Sequence, residues 1–254
     1  MSTSVPGLTR PLFQEDLEKS QVVYNRLPDD EDQLAIDKHL RGLQQIFTQY
    51  GVENELGIHL IHRHFKLPRH HILLGENFGP PACRWARTVS NSDVDIRHIH
   101  GHIFKYTAHG LHPYEYQYGA PPPSVPVAFL SEFTNYIISN GLESAVGLEV
   151  LCPEFEGRSM SEIVMTGGQT SMWESTLISE YVPGKTTGWS ISNDTRECTP
   201  YESHARHKDG SHEPYNVGAP LPETFGHLFQ TLRESGCIAE DLTKPARQTN
   251  SLVG

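Results

Sequence analysis

The sequence predicts an α+β fold, an internally duplicated helix plus antiparallel-sheet repeat (helix–sheet–helix–sheet–helix) with a pseudo-two-fold, on three observations. Glycines, glutamates and apolar residues recur in order along the chain at an offset close to 90 residues. Three segments carry apolar residues at helical spacing and end on a glycine. Stretches of period-2 alternation, broken by Gly, Pro and Asn, follow the first two of these, as antiparallel strands would.

The elements follow in chain order. Residues 1–30 open with a polar, acidic run and read as an N-terminal tail. In the first repeat, residues 31–120, Ile36, Leu40, Leu43, Phe47 and Tyr50 line one helical face. The acidic run from Asp29 to Asp32 suits its N-terminus and Gly51 its C-terminal stop. Pro121-Pro122-Pro123 marks the join to the second repeat, residues 121–218. There Pro126 suits a first helical turn, Leu130, Phe133 and Ile137 give the stripe, and Gly141 ends it. Gly51, Glu53, Gly57 and Phe65 meet Gly141, Glu143, Gly147 and Phe155 at an offset of 90. Trp85 parallels Trp173, and Gly101 with Pro113-Tyr114-Glu115 meets Gly188 with Pro200-Tyr201-Glu202 at an offset of 87. The polar stretch 203–216 has no counterpart and reads as a solvated loop insertion. A C-terminal helix within 219–239 carries Phe225, Leu228, Phe229 and Leu232 before Gly236, and 240–254 read as a second tail.

Composition narrows the function. The net charge of −11, with no dense Lys/Arg patch, argues against a nucleic-acid partner. No apolar run approaches the roughly 18 residues that span a bilayer, and the start lacks the pattern of a secretory signal. Four well-separated cysteines, Cys83, Cys152, Cys198 and Cys237, read as reduced thiols in a cytoplasmic protein. HExxH, GxGxxG, P-loop and GxSxG patterns are absent.

The distinctive feature is 15 histidines, most of them between His59 and His112. If a duplicated scaffold needed them, both copies would carry them. Instead His59, His62 and His64 meet Glu149, Cys152 and Glu154, while His100 and His102 meet Thr187 and Trp189. Residues two apart on a strand share a face, so His62 with His64, and His100 with His102, form two stripes. Facing one another across a sheet or barrel interior, they supply nitrogens for Zn, Fe or Cu. Glu76 and Glu115 are the carboxylates placed to act as general base or to orient a ligand. Haem held through one histidine is a less favoured variant. A histidine on a strand also often does no more than cover a half-polar surface. His204, His207 and His212 with Asp209 follow no metal-ligand spacing and fall in the stretch read as a loop.

Leu60-Ile61-His62-Arg63-His64-Phe65 with Gly75-Glu76, and later Pro113-Tyr114-Glu115-Tyr116, resembles a motif of uncharacterised fungal proteins. That resemblance spans about a quarter of the chain and implies no activity, cofactor or ligand set. Three readings stay open: a metal-dependent enzyme or metalloprotein acting on a small organic molecule, a metal-free histidine acid/base enzyme, and a non-catalytic binding or assembly protein.

Overall fold

A computed structural model describes residues 4–29, 35–119, 124–179, 181–192, 195, 197–207 and 213–239. Among them ten strands close into one barrel, β1 (Leu56–Leu60), β2 (His71–Phe78), β3 (Cys83–Ser90), β4 (Ile99–Thr107), β5 (Gly110–Tyr118), β6 (Val146–Val150), β7 (Met160–Met165), β8 (Gln169–Glu174), β9 (Tyr181–Ile191) and β10 (Cys198–His207). Around the ring they run β1-β6-β4-β5-β2-β3-β8-β7-β10-β9, and β9 returns to β1 through Ile58 and His59 opposite Trp189 and Gly188.

This overturns the helix–sheet–helix–sheet–helix expectation. The strands do not form a sheet of their own beside each helix. β1 pairs with β6, β4 with β6, and β3 with β8, so strands from the two halves of the chain interleave in one wall. The wall is also mixed, because β2 runs parallel to β5 and β7 parallel to β10. The physical reason is edges: a small sheet in each half would leave two rows of unpaired backbone groups, and closure leaves none.

Four α-helices are described, α1 (Gln14–Tyr24), α2 (Asp37–Tyr50), α3 (Val127–Ser139) and α4 (Phe225–Glu234). The predicted α2 stripe buries Leu43 and Phe47, and Gly51 ends the helix in the left-handed conformation at φ 63°. Phe47 meets Phe129 of α3 edge-on at 5.0 Å. This pair of helices covers Ile58 and Leu60 of β1 and Val146, Leu148 and Val150 of β6. On the opposite side α4 covers Cys83 and Trp85 of β3, Ile163 and Met165 of β7, and Trp173 of β8. Where these helices pack, the outer face of the wall is therefore apolar and capped. By strand alternation the residues between those named, His59, Arg84, Glu149 and Glu162 among them, point into the barrel.

Two further expectations change. The stretch read as an N-terminal tail contains α1, whose Leu17 packs with Leu12 on Ile72, Leu74 and Tyr116. Its signal was weak because Asp16 and Ser20, both polar, are also buried; Asp16 accepts two 2.7 Å bonds from Arg10. The stretch 203–216 is not one solvated loop: β10 runs through His207, and Ser203, His204 and Ala205 are buried. Asp209, His212, Pro121 to Pro123, Asp30 to Asp32 and residues 240–254 lie outside the described residues. Among the described residues no helix is long and apolar enough to cross a membrane.

Docking of α1 is directly testable. Leu17→Ala should lower unfolding free energy by about 2–5 kcal/mol, as for a buried leucine in a packed core. A residue in a tail would shift it by less than about 0.5 kcal/mol in a denaturant titration.

Candidate metal centre

After Leu60 the chain leaves the β1–β6 ladder, and backbone bonds hold the departing segment. The Ile61 amide donates to the Ala145 carbonyl at 2.9 Å and the Arg63 amide to the Pro28 carbonyl at 3.0 Å. Arg63 Nε also donates to the Leu27 carbonyl at 2.8 Å. The residues just after α1 thus anchor the turn from which His62 and His64 project. The stripe expected on a strand is in fact two side chains on an irregular segment.

Their imidazoles meet two groups from distant strands. His62 Nε2 lies 3.2 Å from His64 Nε2 and 2.9 Å from His204 Nε2 of β10. His64 Nε2 lies 2.9 Å from Glu162 Oε2 of β7. Glu162 Oε2 is 4.0 Å from His62 Nε2 and 3.9 Å from His204 Nε2. The parallel pairing of β7 with β10 sets His204 directly beside Glu162. Buried His/Glu groups with the spacing to hold a metal ion are therefore present, and this one offers three nitrogens and one oxygen within 4.8 Å of one another.

The electrostatics suit a cation. His62 donates Nδ1–H to the Leu60 carbonyl at 2.6 Å, which fixes its tautomer and leaves the Nε2 lone pair facing the cluster. Burial, then the neighbouring His64 and His59, push its pKa down to about 3, so the ring is neutral near pH 7. Burial alone would raise the Glu162 carboxyl, but the charge and hydrogen bond of His64, and then the charge of His204, hold it well below its ordinary value. The cluster thus carries an ionised carboxylate.

A second group adjoins the first, since the His59 and His62 rings stack at 5.3 Å. His59 Nδ1 lies 3.6 Å from Glu149 Oε2 and 3.5 Å from Glu202 Oε2. Glu202 reaches β1 across β9 only because Gly188 lies between: a Cβ there would sit 2.6 Å from Glu202 Oε2. Burial pushes Glu149 up to about 7. Burial and then the charge of Glu149 push Glu202 up to about 8.

The remaining predicted residues lie elsewhere. His102 is buried with Nε2 3.6 Å from Glu149 Oε1, beside the second group and outside the first. His100 bonds the Gly101 carbonyl through Nδ1 at 3.0 Å. The β4 bulge around Gly101 to Ile103 breaks the simple two-residue stripe that joined these two. Glu115 is taken by Arg84, whose Nη2 donates to it at 3.2 Å. Glu76 sits on the outer face opposite Trp85, half-exposed, with Arg87 3.8 Å away. The expected set of His62, His64, His100 and His102 thus divides, and Glu76 faces away from it.

His204, Glu162 and Glu202 are absent from the expected set, whereas Glu149, the counterpart of His59, is among the second-half residues able to form a different site. The available signal was a charge inside an apolar strand, as in Val146-Gly147-Leu148-Glu149-Val150 and Glu162-Ile163-Val164-Met165. Comparing the two halves hid Glu202, because the Pro-Tyr-Glu it shares with Pro113-Tyr114-Glu115 reads as a demand of the scaffold.

The raised carboxyls fix a pH dependence of metal-free protein. In the unfolded chain a glutamate loses its proton near pH 4.3, whereas folded Glu202 keeps it to about 8. Between those values the unfolded state binds fewer protons, so stability falls as pH rises. His62 works in the other sense and costs stability as pH drops below about 6.5. Glu202→Gln removes only the first effect. Its melting temperature relative to wild type should rise from pH 5 to pH 8, with an underlying change of about 1.4 kcal/mol per pH unit across the window. An equal difference at both pH values, read by calorimetry after chelation, contradicts the assignment.

No protein-family model, curated protein or solved structure matches this chain, so what the centre does follows from its own atoms.

Proposed function

We propose that the protein is a metal-dependent enzyme or metalloprotein acting on a small organic molecule, with its ion held by His62, His64, His204 and Glu162. One observation carries this reading: three imidazole nitrogens and one ionised carboxylate converge with the spacing a single ion requires. Bonds of 2.0–2.1 Å in a tetrahedron set ligand atoms about 3.3 Å apart, and the six-edged cluster has edges between 2.9 and 4.0 Å wherever they are given. A nitrogen-rich set with one oxygen suits Zn, Fe or Cu. Imidazoles this close leave no space between them for a macrocycle, which favours a bare ion over haem.

When bound, such an ion polarises a substrate oxygen or activates a water. The chain supplies the remainder. Leu60 fixes the His62 tautomer, His59 packs flat against the His62 ring, and the barrel wall excludes bulk solvent. Glu162, with 12 % of its side chain exposed, is the edge from which a small molecule approaches. The net charge of −11 leaves nucleic acid and anionic membranes as poor partners. The four cysteines form no disulfide, which fits the cytoplasm.

A metal-free reading has one observation in its favour. The 2.9 Å contacts also suit hydrogen bonds, with His204 donating Nε2–H to His62 Nε2 and His64 donating to Glu162. Such a network would serve proton transfer. Metal content of untagged protein separates the two. Near one equivalent of Zn, Fe or Cu should be bound at this cluster, and substitution by Co2+ should give the visible bands of a tetrahedral site. His64→Ala and His204→Ala should each weaken binding by more than the about 10–100-fold typical of supporting residues. Exposed His98→Ala and Glu76→Gln should leave it unchanged. Wild-type protein that takes up none of these ions sinks the metal reading in favour of the proton network.

A further inference from the structure

We propose that the barrel holds a second divalent-cation site, built from His59 on β1, Glu149 on β6 and Glu202 on β10, whose oxygen-rich set takes an ion of the Mn2+ type. The proposal stands apart from the reading of the first cluster, because none of its three ligands belongs to that cluster.

Three observations carry it. First, the facing atoms, His59 Nδ1, Glu149 Oε2 and Glu202 Oε2, are all buried, and none has a hydrogen-bond partner. The side chains are 5 %, 1 % and 2 % exposed. Buried polar atoms are almost always paired, so three orphans aimed at one point indicate a missing group.

Second, the spacing selects the group. His59 Nδ1 is 3.6 Å from one carboxylate oxygen and 3.5 Å from the other. That is too long for a direct hydrogen bond. It is too short for a bridging water, whose two bonds of about 2.8 Å at a tetrahedral angle would hold its partners about 4.6 Å apart. An ion with ligand distances of about 2.0–2.2 Å fits between atoms at this separation.

Third, among the described residues no side-chain cation is free to answer the charge, so a bound ion would take the place of the proton that the metal-free pair holds. Two carboxylates buried in one space need a counter-charge or a proton. The Arg84 guanidinium, whose charge acts on Glu149, is already bonded to Glu115 and Gln117. His102 Nε2 stands 3.6 Å from the second oxygen of Glu149.

Donor chemistry separates this site from its neighbour. Two carboxylates and one imidazole suit Mn2+, whereas three imidazoles and one carboxylate suit Zn2+ or Cu2+. The stacked His59 and His62 rings bring the two ligand sets side by side, one nitrogen-rich and one oxygen-rich.

The test is titration of metal-stripped, full-length, untagged protein with Mn2+, followed by loss of the free-ion electron paramagnetic resonance signal. Wild type should bind one Mn2+, and pulsed spectroscopy of the bound ion should show one imidazole nitrogen. Glu149→Gln/Glu202→Gln, nearly isosteric, should weaken Mn2+ binding at least 100-fold and leave Zn2+ uptake at His62, His64 and His204 intact. His204→Ala should do the reverse. Wild type that binds no Mn2+, or a bound ion coupled to three nitrogens, overturns the proposal without any variant. Equal loss of Mn2+ in both variants, each folded by circular dichroism, also overturns it, because the ion would then belong to one shared site. Mn2+ binding that survives in a protein that takes up no Zn2+, Fe2+ or Cu2+ supports this site and removes the function proposed for the other.

Discussion

A strand has two faces, and beneath the helices of this barrel neither face meets water. The outer face is apolar and lies beneath α2, α3 and α4, so ordinary hydrophobic burial secures it. The inner face carries imidazoles, carboxylates and a guanidinium that have lost their hydration. Each of them must find a partner of matching sign or hydrogen-bonding character within the wall, because an unpaired buried charge costs several kcal/mol. Arg84 answers Glu115, and His64 answers Glu162. Much of the inner architecture follows from that requirement.

The positioning elements are correspondingly indirect. α1 contributes no ligand, yet Leu27 and Pro28 just beyond it hold Arg63, and Asn25 holds both the amide and the carbonyl of Leu67. These bonds fix both ends of the irregular segment that carries His62 and His64. Glycines serve the same end by omission. At Gly75 a Cβ would meet the Arg84 guanidinium at 2.7 Å, so the missing side chain is the space that Arg84 occupies.

α2, α3 and α4 were legible in the sequence because each has solvent on one side, and a two-sided environment writes a 3.6-residue stripe. α1 was not, since Asp16 and Ser20 are buried beside Leu17 and blur its stripe. The barrel was illegible for another reason. Local alternation reports that a strand exists but not which partner it takes, and here β1 pairs with strands that begin some 90 and 125 residues later in the chain. His62 and His64 stood out by their spacing. His204 did not, because His-Ala-Arg-His beside charged residues looks like surface, and only the pairing of β10 with β7 shows it buried next to Glu162. The histidines that stood out lie in one half of the chain, and closure of the ring brings His204 and Glu162 to them from the other.

That closure has a consequence for how the chain comes to fold. The atoms that meet at the centre are separated by 98 residues between His64 and Glu162 and by 142 between His62 and His204. Bringing such distant segments together carries a large loop-closure entropy, and contacts of this range slow folding. No early hairpin or helix pair contains more of the four-membered set than the adjacent His62 and His64, because neither His204 nor Glu162 lies within reach of His62 until β7, β10 and β1 share one wall. The centre is therefore a record of completed assembly: a nascent or partly folded chain presents scattered histidines, and only the finished ring presents the converged cluster.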